Sequence, residues 1–261
     1  MCLRPALDSA QRDELRATFG LREASERDGQ HSQPVAAWLD AARCAELLDD
    51  LAKRMAAPTR RVAASLLTKR LGFLTTGVAF QALSAYDRCL DLTPGNVWIE
   101  DGHVQGRWRS ALPLSDTRPL PALEDHATAR ALLARTLFGE LLRPLWETLA
   151  RVGRVSPRIL WENVAVRLYS LYDRRLAELE DPAIRARCAE DFAWLLAATP
   201  AELGLETNPL AQFRRPATAN TLGRPVRFRR TCCFYYQATA PAEYCTNCPL
   251  IRPREAICPA P

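Results

Sequence analysis

The chain has 261 residues, of which 48% are hydrophobic and 25% are charged, and its formal net charge is +5. This composition is typical of a soluble globular protein that buries a real core, as one large domain or two small ones. The cysteines number nine, and this odd count in a chain of this size argues against the disulfide framework of a small secreted protein.

The N-terminal stretch is polar. Residues 1–33 are predicted to form a loose N-terminal arm with one short helix, from Ser9 to Phe19. Met1 to Pro5 lead into this stretch without an apolar segment, so we expect no signal peptide and a cytoplasmic location. The uncharged stretch from Leu71 to Tyr86 is short and contains threonine, glutamine and serine, which predicts a buried helix and no transmembrane segment.

Helical patterns dominate residues 34–213. Apolar residues recur at helical spacing after Pro34, and Ser156-Pro157 and Asp181-Pro182 each pair an N-cap residue with proline at the first helical position. The predicted helices start at Pro34, run from Thr59 to Arg70, from Asp125 to Val152 with a kink or break at Pro144, from Pro157 to Leu179 and from Pro182 to Ala198.

The pattern changes to that of a strand between Val97 and Trp108. Asp101-Gly102 is a favoured two-residue turn because both positions tolerate positive φ, so a β-hairpin is predicted around it. A proline-rich linker is predicted for residues 113–121. The predicted fold class is therefore α+β, predominantly α-helical, with a small β-hairpin or sheet and an irregular C-terminal segment.

Four cysteines lie close together near the C-terminus, as Cys232-Cys233 followed by Cys245-x-x-Cys248. Grouped thiolates suit a thiophilic centre, either an iron–sulfur cluster or zinc. Neighbouring side chains of an extended segment point to opposite faces, so an adjacent pair reaches two irons more easily than one tetrahedral zinc ion. No histidine lies near them in the sequence. The spacing favours a [2Fe–2S] cluster, with zinc, disulfides or free thiols as alternatives.

The residues around these cysteines resemble the FhuF-like ferric-siderophore reductases. The Cys-Cys…Cys-x-x-Cys-Pro motif is the specific part of this resemblance, and its gap between the cysteine pairs is one residue longer than is usual in the family. The stretches that carry the resemblance are Arg229 to Tyr236, Tyr244 to Leu250, Leu160-Trp161-Glu162-Asn163 and Asn208-Pro209-Leu210.

The resemblance implies a function. A [2Fe–2S] cluster would be held by Cys232, Cys233, Cys245 and Cys248 within a C-terminal segment, residues 214–261, and residues 34–213 would form a mostly helical siderophore-binding domain. The protein would be an oxidoreductase that reduces the Fe(III) of a ferric siderophore by one electron and releases Fe(II) in the cytoplasm.

An external electron donor is also expected. The sequence has no dinucleotide fingerprint and no phosphate-binding loop, so it does not predict direct use of NADH or NADPH. The donor would be ferredoxin-like or a flavin reductase. Peripheral membrane association is left open.

One predicted helix supplies candidate substrate residues. Asn163, Arg167, Ser170 and Arg174 share one of its faces, and the resemblance adds Trp161 and Asn163. Arg167 would direct its donors at hydroxamate, carboxylate or catecholate oxygens of a siderophore. A solvated helix face is the alternative, in which Asn163 braces a neighbouring loop.

The basic stretch before the cysteines supplies two more candidates, Arg229 and Arg230. Positive charge there would stabilise the reduced cluster, and it would attract an anionic siderophore or an acidic donor. A solvated basic tail is the alternative.

The remaining cysteines have simpler interpretations. Cys44, Cys89 and Cys188 lie among apolar neighbours in predicted helices and are expected to be inert buried thiols. Cys258, in the proline-rich tail, is expected to be a free thiol, with substitution for one of the adjacent cysteines as ligand left open.

Two functions of other classes are consistent with the sequence. One is a zinc-stabilised nucleic-acid-binding module, in which Arg227–Arg230 and Phe234–Tyr236 supply charge and stacking. The other is a siderophore-binding or biosynthetic protein whose cluster is only structural. Under the reductase interpretation no nucleic-acid partner is expected.

Overall fold

The computed structural model describes residues 6–121 and 123–253. Its helices are α1 Ser9–Phe19, α2 Val35–Leu39, α3 Ala41–Arg54, α4 Arg60–Phe80, α5 His126–Ala134, α6 Arg143–Gly153, α7 Pro157–Ser170, α8 Pro182–Ala197 and α9 Pro209–Phe213. Its strands are β1 Leu21–Glu23, β2 Ser32–Pro34, β3 Trp98–Glu100, β4 His103–Val104, β5 Arg107–Trp108, β6 Leu112–Leu114, β7 Thr218–Ala219 and β8 Pro225–Val226. The predicted fold class, α+β and mostly helical, is confirmed.

Helix α4 is the centre of the fold, with α1, α3, α6 and α7 packed around it. A Cβ atom on Gly72 would lie 3.2 Å from the Cα atom of Val164, so a larger residue would push α4 and α7 apart. The buried hydroxyl of Thr75 donates to the Leu71 carbonyl of its own helix at 2.8 Å. The prediction of a buried helix in the uncharged stretch from Leu71 to Tyr86 is therefore confirmed. Among the described residues, no helix is both long and apolar enough to cross a bilayer.

Residues 6–33, the described part of the predicted N-terminal arm, pack onto the rest of the fold. Helix α1 has the predicted bounds, and it buries Leu15 and Phe19, which lie four residues apart on one face. Strand β1 pairs in parallel with β6, and β2 pairs antiparallel with β3. These apolar side chains, together with Glu14, which accepts from Gln81, Tyr86 and Arg175, dock α1 on the core. Extended backbone from distant parts of the chain supplies the strand partners.

The prediction of a hairpin that turns at Asp101-Gly102 is wrong. Strand β3 pairs with β2, while β4 and β5 form a hairpin that turns at Gln105 and Gly106, where φ is 50° and 75°. The Asp101 carboxylate is 2% exposed and accepts from Arg54 Nη2 at 2.8 Å. That buried ion pair holds Asp101 inside, where it does not form an exposed turn.

Several helices begin where capping residues and prolines predict. Some of the predicted helices are nevertheless interrupted at positions that these residues did not indicate. Asp40 ends α2 and caps α3, so the helix predicted from Pro34 is divided in two. The helix predicted from Asp125 contains a π-helical segment, Arg135–Leu142, and resumes at α6 with Pro144 in its first turn. The proline starts of α7 and α8 are confirmed.

A buried polar network joins α5, α8 and the π-helical segment that continues α4. Asp191 is fully buried and accepts from Ser84 at 2.6 Å, from Arg130 at 3.0 Å and from His126 Nε2 at 2.9 Å. His126 Nδ1 lies 2.7 Å from Asp87 Oδ1. Hydrogen bonding to Asp191, with a smaller contribution from Asp87, raises the pKa of His126 despite its burial.

This network predicts a pH dependence of stability. Because the folded-state pKa of His126 is raised, its ion pairs stabilise the fold fully below the ordinary histidine value, near 6.5, and this contribution is lost as pH rises through the raised pKa. We expect His126→Gln to lower the thermal midpoint by about 2–6 °C at pH 6 and by less at pH 9.

Circular dichroism melts at the two pH values measure this difference. His31→Gln is the matched control, because its ring bonds the more exposed Asp28, and it should cost less. An equal loss for His126→Gln at both pH values would contradict the assigned role of the charged ring.

Candidate metal centre

The four grouped cysteines, Cys232, Cys233, Cys245 and Cys248, lie in an irregular loop, residues 227–253. This loop packs against α4 and α7. After the β7–β8 hairpin this loop has only short 3₁₀ turns, at Tyr235–Ala238 and Pro249–Ile251. The Arg229 amide donates to the Asn247 carbonyl at 2.9 Å, which closes the loop. The two ends of the loop, each with one cysteine pair, are thereby brought together.

The structure pairs each of the adjacent cysteines with a different partner. Cys233 Sγ lies 3.8 Å from Cys245 Sγ, and the Cys232 thiol interacts electrostatically with that of Cys248. Phe234, directly after the adjacent pair, has a left-handed backbone with φ of 61° and donates its amide to Cys232 Sγ at 3.4 Å. This local turn lets neighbouring cysteines face two different thiols.

Two thiol pairs suit a centre with two metal atoms better than a single zinc ion. A single tetrahedral ion needs its ligands gathered at one point. In a [2Fe–2S] cluster four cysteines serve two irons, which is the arrangement that two separate pairs can provide.

Glu162 of α7 holds the start of the cysteine loop. Its buried carboxylate accepts from the Arg230 amide at 2.5 Å, from the Thr231 amide at 2.7 Å and from the Thr231 hydroxyl at 2.5 Å. Sequence reasoning quoted Glu162 only as part of a motif and missed this role. The available signal was an acidic residue at helical spacing from Ile159 on a buried helix face, where a carboxylate needs a partner.

Asn163 also positions the loop, through α4. Its Nδ2 donates to the Ser65 carbonyl at 2.8 Å and to Thr68 Oγ1 at 3.0 Å, and Ser65 Oγ donates to the Cys233 carbonyl at 3.0 Å. Asn163 is 1% exposed. The geometry therefore supports the bracing role left open above, and it does not favour direct contact between Asn163 and a substrate.

Trp161 lies on another side of α7. It packs edge-on against Trp146, with ring centroids 6.4 Å apart, and lines a cavity of about 350 Å³ together with Arg143, Arg158 and Phe213. None of the four grouped cysteines lines this cavity. Arg167, Ser170 and Arg174, by contrast, line a cavity of about 310 Å³ that also contains Cys245.

Cationic side chains surround the thiols of Cys233 and Cys245, which we call the inner thiol pair. Lys69 Nζ lies 3.7 Å from Cys233 Sγ, and Arg229 is 2% exposed, whereas Arg230 is exposed. The hydrogen bond with Cys245, followed by the charges of Lys69 and Arg229, lowers the pKa of the Cys233 thiol against the opposing effect of burial. Lys69 and Arg229 therefore place stabilising positive charge beside the Cys233 sulfur.

Two buried guanidinium nitrogens provide a test of whether an anionic cofactor fits. Arg167 Nε and Arg229 Nη2 have no hydrogen-bond partner within the described ranges. Both arginines interact electrostatically with Cys233, and Arg167 also does so with Cys245. An iron–sulfur cluster with four thiolates is negatively charged and has sulfur acceptors. The residues present therefore fit such a group.

The other thiols lie elsewhere. Cys44, Cys89 and Cys188 are buried in the helical core. Burial raises the pKa of Cys44 and of Cys188 to about 11, as expected for inert thiols. Cys258, considered above as a substitute ligand, is outside the described residues.

Comparison with known families supports this assignment of the cofactor. A model described as ferric iron reductase FhuF-like transporter matches residues 65–221, more than half of the chain. A second model, described as FhuF 2Fe-2S C-terminal domain, matches residues 229–250, which include all four grouped cysteines. No curated protein matches the chain. Residues 229–250 are thus a [2Fe–2S] domain.

The anchoring role of Glu162 predicts a labile cluster in Glu162→Gln. The amide removes a buried charge and turns an NH₂ group toward backbone donors, so opening of the loop should become easier by about 1.5–3 kcal/mol. We expect the visible absorbance of the [2Fe–2S] protein to decay about tenfold faster, or more, in the presence of an iron chelator.

Glu147→Gln, at an exposed position of α6, is the control and should leave the decay rate unchanged. A decay rate in Glu162→Gln equal to that of the unmodified protein would show that the carboxylate does not hold the loop.

Proposed function

This chain belongs to the FhuF-like ferric iron reductase family, and we propose that it reduces siderophore-bound Fe(III) by one electron. Hard oxygen donors of siderophores bind Fe(III) more tightly than Fe(II), so reduction would release the metal in the cytoplasm. The observation that carries the proposal is the position of Cys245, which both belongs to the thiol group and lines a cavity beside α7.

The proposed cluster ligands are Cys232, Cys233, Cys245 and Cys248. Cys233 with Cys245 would bind one iron, and Cys232 with Cys248 the other, as their contacts suggest. When bound, the cluster supplies one-electron chemistry, accepting an electron from a donor and passing it to the ferric substrate.

The protein shell around these ligands has two proposed tasks. Glu162 and Asn163 hold the loop on α7 and α4, which keeps the thiols in place without help from regular strands. Lys69 and the buried Arg229 place positive charge beside the inner thiols, which stabilises the more negative reduced state and raises the reduction potential.

The donor is proposed to be a ferredoxin-like protein or a flavin reductase. The proposal rests on the sequence, which has no dinucleotide fingerprint. Residues 34–213 would supply the scaffold and substrate surface, and residues 214–261 the electron-transfer segment.

The nucleic-acid alternative has less support. The match to a [2Fe–2S] domain favours iron over zinc. Tyr235 packs beneath Lys69, 5.1 Å from the ammonium, and Tyr236 stacks on Tyr244 with ring centroids 5.4 Å apart. Tyr236 is thus already stacked on a protein ring and Lys69 covers one face of Tyr235, whereas base stacking needs free aromatic faces.

The ligand assignment predicts the behaviour of serine variants. Each of Cys232→Ser, Cys233→Ser, Cys245→Ser and Cys248→Ser should lose or strongly destabilise the cluster, because a thiolate ligand is removed. Iron and sulfide analysis with visible absorbance, on anaerobically purified protein, should give about two irons and two sulfides per chain before substitution.

Cys44→Ser and Cys188→Ser are the matched controls and should retain the cluster, since both thiols are buried in the helical core. Stoichiometric zinc in a colourless preparation of the unmodified protein would rule out the ligand assignment.

The proposed reaction is tested in a single turnover. Anaerobically reduced holoprotein mixed with one equivalent of a ferric siderophore should regain its oxidised spectrum while a ferrous chelator reports Fe(II). One electron lost per chain should reduce one ferric ion. Cluster reoxidation that is no faster than without siderophore would refute the reductase function and favour a structural cluster.

A further inference from the structure

The cavity beside Cys245 has a composition that points to the charge of its ligand. It has a volume of about 310 Å³ and lies between α7, the β7–β8 hairpin and the turn after Cys245. Its lining includes Lys69, Arg167, Ser170, Arg174, Arg227, Thr246 and Asn247.

Positive charge exceeds negative charge in this cavity. Lys69, Arg167, Arg174 and Arg227 line it, against the single carboxylate of Asp173. Asp173 is paired with Arg214, which donates to its two oxygens at 2.8 and 2.9 Å, and more loosely with Arg227, whose Nη2 lies 3.7 Å from Oδ2. The remaining lining cations, Lys69, Arg167 and Arg174, have no carboxylate partner in the lining.

The cations divide into an inner and an outer group. Lys69 lies 3.7 Å from the Cys233 thiol, and Arg167 interacts with Cys233 and Cys245, so these two also serve the cluster. Arg174, about two helical turns further along, is exposed and makes no hydrogen bond or ion pair with any described residue. Its guanidinium is free to bind a ligand.

A second cavity, of about 320 Å³, lies on the other side of Lys69 and Arg167 and is lined by His103, Trp108 and Tyr235. None of the four grouped cysteines lines it. Electron transfer to a ferric ion favours the shortest path from the cluster, so the cavity that contains Cys245 is the better candidate for the substrate.

We propose that the cavity at Cys245 binds one arm of a ferric chelate with net negative charge, whose carboxylate or catecholate oxygens contact Arg167, Arg174 and Arg227. Planar guanidinium groups bind such oxygens through paired hydrogen bonds. This inference rests on the proposed reductase function and specifies its substrate class. The step forms and breaks no covalent bond in the protein: one electron from the external donor converts one Fe(III) to Fe(II).

Gallium(III) chelates test the binding without redox chemistry, because Ga(III) has the charge and a size close to those of Fe(III) and is not reduced by the cluster. Calorimetry on the oxidised holoprotein would compare three probes. They are gallium EDTA as an anionic carboxylate complex, gallium tris-catecholate as an anionic catecholate complex, and gallium desferrioxamine B as a cationic hydroxamate complex.

We expect one or both anionic complexes to bind more tightly than the cationic one, and the probe that does so identifies the oxygen chemistry. Arg174→Gln should weaken anionic binding about threefold and Arg174→Glu about tenfold, with Arg174→Lys close to unmodified protein. The effect should shrink as salt rises. Arg224→Gln, in the turn of the β7–β8 hairpin and outside the cavity lining, should change nothing.

Equal binding of anionic and cationic probes, or unchanged binding in Arg174→Glu, would overturn the proposal. Loss of binding in His103→Gln but not in Arg174→Glu would move the substrate to the second cavity and overturn it as well. Failure of the proposed reductase function would give a different result from failure of this proposal. In that case the gallium complexes would bind according to their own charge as expected, but ferric chelates would not reoxidise the reduced protein.

Discussion

The hydrogen bonds from Arg230 and Thr231 to the buried carboxylate of Glu162 are the contact on which the cysteine loop depends. The loop has almost no regular structure, so its backbone donors need partners from elsewhere in the fold. A carboxylate in a water-poor interior provides strong acceptors, and Arg229, 3.7 Å away, keeps its charge paired. Because α7 is itself packed tightly against α4, the direction of Cys232 and Cys233 is set by the rigid helical core.

Positive charge around the thiols would link the cluster with the proposed substrate. Arg229 is buried and interacts with the inner thiols, while Arg174 is exposed in the adjoining cavity. Burial and repulsion from Arg229 lower the pKa of Arg167, so this side chain gains from any nearby anion. Cluster and chelate would thus share Arg167 and Lys69, which lie between them. Such sharing places the electron donor and acceptor groups close together.

Much of the helical fold was predictable, since its signals are local. Asp8 and Gly20 bound α1, and proline with a preceding cap starts α7 and α8. The errors arose where a distant partner decided the outcome. Asp101 was interpreted as a turn residue, but Arg54 holds it inside the protein. The polar N-terminal residues looked unpaired, but β6 and β3 supply strand partners some seventy to ninety residues away.

The sequence by itself determined where a thiophilic centre is favoured, and left iron–sulfur and zinc both open, because grouped thiolates suit either and the four cysteines are visible in one short stretch. It also determined that no dinucleotide fingerprint accompanies them. Only the tertiary structure decided which thiol faces which, that Glu162 and Asn163 position the loop, and that Arg174 shares a cavity with Cys245. These relations join residues 65–69, 162–174 and 227–247, and side chains so far apart in sequence meet only through packing of the helices between them.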